Sequence, residues 1–159
     1  MNDQTLLAVM KKYHLTGEFF LHPALAAQLH DFRDNEVFRV AQPPYNYNRA
    51  FAEGNLLVTD YSSVAFDFAY LGKPVLYTQF DHDEINSGQH IFTKNYITSE
   101  KDGFGPVVYN YDSTIREIVK LIENNFKMLA KHQRRSDEFY FYRDQKNCHR
   151  LFYTITGRD

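Results

Sequence analysis

A chain of 159 residues, 43% hydrophobic and 24% charged, is long enough to bury one sizeable core and reads as a single domain. Its formal net charge of −2 leaves no electrostatic footprint for nucleic acid, and the lone Cys148 excludes an internal disulfide and a cysteine-rich metal site. No secretory leader, low-complexity tract or apolar run of membrane-spanning length occurs, which predicts a soluble protein.

In chain order, Leu6, Leu7, Val9, Met10 and Tyr13 predict a helix over Thr5 to Tyr13, ended near Gly17. Glu18 to Leu21 is a compact apolar strand that stops at His22-Pro23, since Pro23 cannot continue a central strand. Leu25, Ala26, Leu29 and Phe32 then recur at helical spacing over Ala24 to Phe32, and Val37 to Val40 reads as the next strand. Gln42-Pro43-Pro44 is a loop, and Tyr47 to Glu53 is a short helix closed by Gly54.

The stretch Asn55 to Tyr77 carries the strongest pattern. Leu56 to Val58 is a short apolar run, Thr59-Asp60-Tyr61-Ser62-Ser63 a polar turn, and Val64, Phe66, Phe68, Ala69 and Leu71 follow at helical spacing. Gly72 is a helix stop, Lys73-Pro74 turns the chain, and Val75-Leu76-Tyr77 opens a second strand, so the stretch is one βαβ unit. The turn at Thr59 to Ser63 therefore lies where a strand ends and a helix begins, the place where open α/β sheets bind ligands and free N–H groups favour phosphate.

Gln79 to Gly105, rich in Asp, His, Asn, Ser and Gly, reads as a long irregular excursion over the sheet. Pro106 to Tyr109 is a last short strand. Asp112 or Ser113 is expected to cap a helix that buries Ile115, Ile118, Val119, Leu121 and Ile122 and runs on through Phe126, Met128 and Leu129 to a basic end at Lys131, Arg134 and Arg135. Asp144 to Thr156 reads as a closing helix, with Cys148 a packed small hydrophobe. Strands alternating with helices predict a parallel, doubly wound α/β sheet with helices on both faces. Twelve Tyr and fourteen Phe supply core and partner surface, with some rings available to stack on a base.

Several residues stand out for chemistry, each with two readings. His22 either faces a ligand crevice or caps the helix after it. Ser62 and Ser63 suit both helix capping and phosphate binding. Asp60 would repel a diphosphate and is expected to fix the turn by accepting backbone N–H bonds. Asp67 either reaches the ligand or is an exposed helix residue. His30, Asp81, His82 and His90 are further candidates, but the spacing of Asp81-His82-Asp83-Glu84 fits no specific metal site and suits a solvated loop. Lys131 to Arg135 reads as a basic helix end, with contact to anionic lipid as the alternative.

Leu21-His22-Pro23, Thr59-Asp60-Tyr61-Ser62-Ser63 with Phe66-Asp67-Phe68, Gly72-Lys73-Pro74, Gly105-Pro106-Val107-Val108 and Tyr142-Arg143-Asp144, in this order, resemble the carboxyl-terminal half of the CDP-glycerol glycerophosphotransferase family, the teichoic-acid primases and polymerases. The resemblance covers the chain from about Glu18 onward. It implies a Rossmann-like domain, residues 1–159, forming one half of a GT-B type catalytic domain. By similarity, Thr59, Ser62, Ser63 and Asp67 would bind a CDP-linked donor: Ser62 and Ser63, with their backbone amides, would hold its diphosphate, Asp67 would reach a ribose hydroxyl, and His22 would stabilise charge on the transferring phosphate. The donor would be CDP-glycerol or a related polyol or sugar nucleotide, and the acceptor a polymer or lipid-linked chain.

The same resemblance places the acceptor-activating base in an amino-terminal half-domain, supplied in cis or in trans. It implies neither a nucleic-acid partner nor a cofactor beyond the donor, and leaves a metal open. The expected location is cytoplasmic, with peripheral association at the inner face of the membrane. The competing reading is a non-catalytic nucleotide-binding or scaffold domain, or half of a nucleotide-sugar glycosyltransferase.

Overall fold

The computed structural model describes residues 1–84 and 98–158. Helix α1 (Gln4–Lys12) starts at Asp3, whose carboxylate accepts from the Leu6 amide at 2.7 Å, and it buries Leu6 and Met10. Strand β1 (Gly17–Phe19) leads through His22 into a 3₁₀ helix (Pro23–Asp31), and β2 (Phe38–Val40) pairs with β1 in parallel. Helix α2 (Tyr47–Glu53) precedes β3 (Leu57–Thr59), helix α3 (Val64–Tyr70) and β4 (Val75–Thr78). The short turns of helix α4 (His82–Glu84) and α5 (Ser99–Asp102) flank β5 (Val107–Val108) on its amino-terminal side. Helices α6 (Tyr111–Glu123), α7 (Ala130–Phe139) and α8 (Asn147–Thr156) complete the chain.

All the paired strands are parallel, as the alternation of elements predicts, but the described ladders form two sheets, β1-β2 and β3-β4-β5. Helix α6 joins them. Its Ile122 packs with Leu6, Met10 and Val37 beside the first sheet, while its neighbour Leu121 packs with Leu76 and Val108 of the second. Central strand β4 is buried on both sides: Val75 and Tyr77 meet Ala65, Phe68 and Ala69 of α3, and Leu76 meets α6. This alternation is what period-two side chains require of a strand covered by helices on both faces.

Four local expectations are corrected. Ala24 to Phe32 falls in a 3₁₀ helix, Pro23–Asp31, that buries no residue: Leu25 stays 44% exposed, and the Phe32 ring after it lies against Phe19 at 4.6 Å. The α6 cap is Asn110, an extended residue whose Oδ1 accepts from the Ser113 amide at 2.9 Å, in place of Asp112 or Ser113. That helix stops at Glu123, because Asn125 and Phe126 take φ of 52° and 54° and the Phe126 amide folds back onto the Leu121 carbonyl. Lys131, Arg134 and Arg135 thus belong to a separate helix. Cys148 is exposed, since α8 buries none of its residues.

Two glycines are required by geometry. Gly72 closes α3 at φ +73°, the left-handed position that a side chain would strain. Gly105 lies against β4 so closely that a Cβ there would fall 1.6 Å from the Val75 carbonyl oxygen.

Candidate functional site

The polar turn after β3 forms as the sequence predicts. Thr59 ends the strand opposite Tyr77, and its carbonyl accepts from the Thr78 hydroxyl at 3.3 Å. Ser63 is the first non-helical residue before α3 and makes no side-chain cap, while the Ser62 hydroxyl sits 3.4 Å from the Val64 amide. Ser62 is half-buried and Ser63 exposed, so the Ser63 hydroxyl is available to solvent. No N–H of a described residue donates to Asp60, so this carboxylate does not fix the turn as expected.

Tyr61 of the same turn stands near the charges of Asp81 and Glu100. Burial, and then the charge of nearby Asp81, push the Tyr61 phenol up to about 12, so it stays protonated. Beside it, Tyr109 donates to Glu100 at 2.9 Å, and the His82 ring stands edge-on to Tyr109 with Nδ1 at 3.5 Å from Glu100. His82 is thereby engaged by protein groups. His30 lies 3.2 Å from its neighbour Asp31, and His90 lies outside the described residues. Among the described residues no three His, Cys, Asp or Glu side chains gather as metal ligands.

His22 caps the 3₁₀ helix: its Nδ1 accepts from the Ala24 amide at 3.2 Å. A nitrogen that accepts carries a lone pair, so the ring proton lies on Nε2, which faces outward as a donor. Capping and chemistry are therefore compatible at this residue. The exposed ring follows the carboxyl end of β1, as Ser62 and Ser63 follow that of β3. The two corners are connected by a series of rings, Phe20 to Tyr47 at 5.9 Å, Tyr47 to Phe51 at 6.1 Å and Phe51 to Phe68 at 6.2 Å.

Asp67 is exposed, one helical turn beyond Ser63 and on the same face of α3 as Ser63, Phe66 and Tyr70. It lines a cavity of about 470 Å³ with Phe66, Tyr70, Tyr140, Tyr142 and Asn147. The structure thus gathers Thr59, Ser62 and Ser63 in one turn and sets Asp67 one turn on among carboxyl-terminal rings, while His22 stands after β1 of the other sheet. Sequence reasoning missed the place of Tyr61 beside Asp81 and the contacts of Glu100. Tyr61 could have been found from its place inside the polar turn, whereas nothing local marks Glu100.

Comparison with known proteins points one way. The family described as CDP-Glycerol:Poly(glycerophosphate) glycerophosphotransferase matches residues 5–157. The chain is 34% identical, over all 159 of its residues, to the minor teichoic acid biosynthesis protein GgaB of Bacillus subtilis (strain 168), and spans 17% of that protein. It is 25% identical over 149 residues, 94% of the chain, to a teichoic acid poly(glycerol phosphate) polymerase of the same strain, spanning 18% of it. Among solved structures, the wall teichoic acid polymerase TagF matches 97% of the chain with 47% of its own, at a TM-score of 0.58 and 18% identity, which shows a shared fold.

Proposed function

The chain belongs to the CDP-glycerol:poly(glycerophosphate) glycerophosphotransferase family, and on that premise we propose that it is the donor-binding domain of a transferase moving glycerol phosphate, or a related polyol phosphate or sugar, from a CDP-linked donor to a cell-surface polymer. The observation that carries this reading is the turn after β3, where exposed Ser63, half-buried Ser62 and Thr59 lie together at the carboxyl end of a parallel strand.

In this reading the Ser62 and Ser63 hydroxyls and the amides of the turn hold the diphosphate, and Asp67 accepts from a ribose hydroxyl. The His22 Nε2–H, freed for donation by the capping bond at Nδ1, takes a non-bridging oxygen of the transferring phosphate. The acceptor hydroxyl attacks the β-phosphorus in line. Its new P–O bond forms as the bond to the α–β bridging oxygen breaks and CMP leaves. The hydroxyl proton passes to a base on a companion half-domain, in cis or in trans, so residues 1–159 bind the donor and share its turnover with that partner. Among the described residues no helix is long and apolar enough to cross a membrane. The proposed place of work is the cytoplasmic side of the membrane, where a CDP-linked donor and a lipid-linked or polymeric acceptor would meet.

Thermal melting in the presence of nucleotides tests the reading, because a ligand that binds only the folded state stabilises it. CDP and CDP-glycerol are expected to raise the melting temperature more than UDP or ADP. No shift with any of the four would overturn the donor site and the transferase reading together.

A further inference from the structure

Helix α3 is only seven residues long, too short to hold its own position, and the carboxyl-terminal segment grips its carbonyls from Phe66 to Tyr70. Tyr140 donates its hydroxyl to the Phe66 carbonyl at 2.7 Å, and fully buried Ser136 donates to the Ala69 carbonyl at 3.0 Å. Arg143 donates through Nη1 to the Tyr70 carbonyl at 2.8 Å and through Nη2 to the Ser136 hydroxyl at 2.6 Å and the Asp137 carboxylate at 3.3 Å. Its guanidinium also lies 5.4 Å from the Tyr140 ring centre, so one side chain braces both of the others.

We infer that Arg143 is a positioning residue for the donor turn: through Ser136 and Tyr140 it fixes where α3 stands along its axis and hence where Ser62 and Ser63 present their hydroxyls and amides. This rests on the reading of Thr59 to Ser63 as the diphosphate site. The physical argument is one of direction. Ala65, Phe68 and Ala69 bury α3 against β4, but apolar packing is non-directional and resists separation more than sliding. Hydrogen bonds to specific carbonyls fix the axial position. In the first turn of α3 the one such restraint among the described residues is the Tyr140 bond to Phe66, which Arg143 braces, since Ser63 makes no cap bond and the Ser62 contact is 3.4 Å long. A slip of the order of 1 Å at the carbonyl end is therefore passed to the turn, and misplacement on that scale is costly to a site built from oriented donors. A guanidinium beside the last carbonyls of α3 also complements the negative end of its dipole.

The test uses the whole chain, with inorganic pyrophosphate and CDP as probes in calorimetry well below the melting temperature. Arg143→Ala is expected to weaken both by about tenfold or more, and Tyr140→Phe by a smaller factor in the same direction. Arg143→Lys is expected to restore part of the loss. Leu7→Ala, which loosens the separate cluster of α1 and α6, is the control for stability alone: it is expected to lower the melting temperature and leave both affinities unchanged. Unchanged affinity in Arg143→Ala, or an equal loss in Leu7→Ala, overturns the inference. Amide hydrogen exchange decides it independently of any ligand. The Ala65 and Phe66 amides, bonded to the Ser62 and Ser63 carbonyls, are expected to exchange about tenfold faster in Arg143→Ala than in Leu7→Ala. Equal exchange rates in the two variants overturn it as well. A wild-type chain that binds neither probe removes the donor site, while the exchange rates still report on Arg143.

Discussion

Lys73 donates its ammonium group to the main-chain carbonyl of Phe51 at 2.7 Å, and adds a second bond to the Ala52 carbonyl at 2.8 Å. The lysine of Gly72-Lys73-Pro74 therefore closes the carboxyl end of α2, two of whose last carbonyls would otherwise lack partners, and does so from above the Phe68 ring. A turn that reads in the sequence as a loop between helix and strand is thus the joint between α2, α3 and β4. Lys73→Met is expected to lower stability by about 1–3 kcal/mol in denaturant melts and to leave CDP affinity unchanged. A loss of affinity without loss of stability would move Lys73 into the donor site.

The capping bond at Nδ1 of His22 allows its two proposed roles to be separated. His22→Asn keeps a side-chain acceptor for the Ala24 amide and removes the Nε2 donor, whereas His22→Ala removes both. Stability is expected to fall by about 0.5–2 kcal/mol in the alanine variant and to be largely kept in the asparagine variant. Placed in a complete enzyme with its companion half, both variants are expected to lose about 10²–10³ in turnover. Full turnover in His22→Asn would reduce His22 to a cap.

Replacing Ser62 and Ser63 together by alanine is expected to weaken CDP binding much more than CMP binding, because only CDP carries the second phosphate that the turn is proposed to hold. Calorimetric titration with the two nucleotides measures the ratio. Equal losses would mean that the hydroxyls serve the turn alone.

His132 on α7 is buried, with Nδ1 3.2 Å from the Gly103 carbonyl and Nε2 without a partner among the described residues. Burial lowers its pKa below the ordinary 6.5, and the neighbouring charges of Lys131 and Arg135 act in the same direction. The unfolded chain then binds the proton more readily than the folded one. The stabilising contribution of neutral His132 is complete above 6.5 and is lost as pH falls below it. His132→Asn can still donate to Gly103 and cannot charge. The difference in stability between the wild type and this variant is expected to vary between about pH 5 and 7 and to level off above that range. A difference that is flat across the range would show that His132 does not titrate on unfolding.

Gly105→Ala is expected to abolish cooperative folding, or to cost about 4 kcal/mol or more where it folds. The added methyl would stand 1.6 Å from a main-chain oxygen of the buried strand β4, which has no room to retreat between two helical layers. Circular dichroism with thermal melting is sufficient to see it. A native-like melt would mean that Gly105 and Pro106 can be displaced without breaking the β4–β5 ladder.

The sequence by itself determined the parallel α/β pattern, the βαβ unit from Leu57 to Thr78, the polar turn at its strand end and the family to which the chain belongs. These are local: the spacing of apolar residues records which side of each element is buried, and Gly72, Pro23 and the serines mark where elements start and stop. Tertiary structure alone decided that Pro23 to Asp31 forms a 3₁₀ helix with no buried residue, that α6 breaks at Asn125 and Phe126 so that Phe126 returns to the α1 cluster, and that Cys148 is exposed. It alone decided that Asp67 faces Tyr142 and Asn147, and that Ser136, Tyr140 and Arg143 take the carbonyls of a helix about seventy residues earlier. The spacing of a sequence records that a face is buried; which distant surface covers it, and which side chain then meets a given carbonyl, is set only when the layers close on one another.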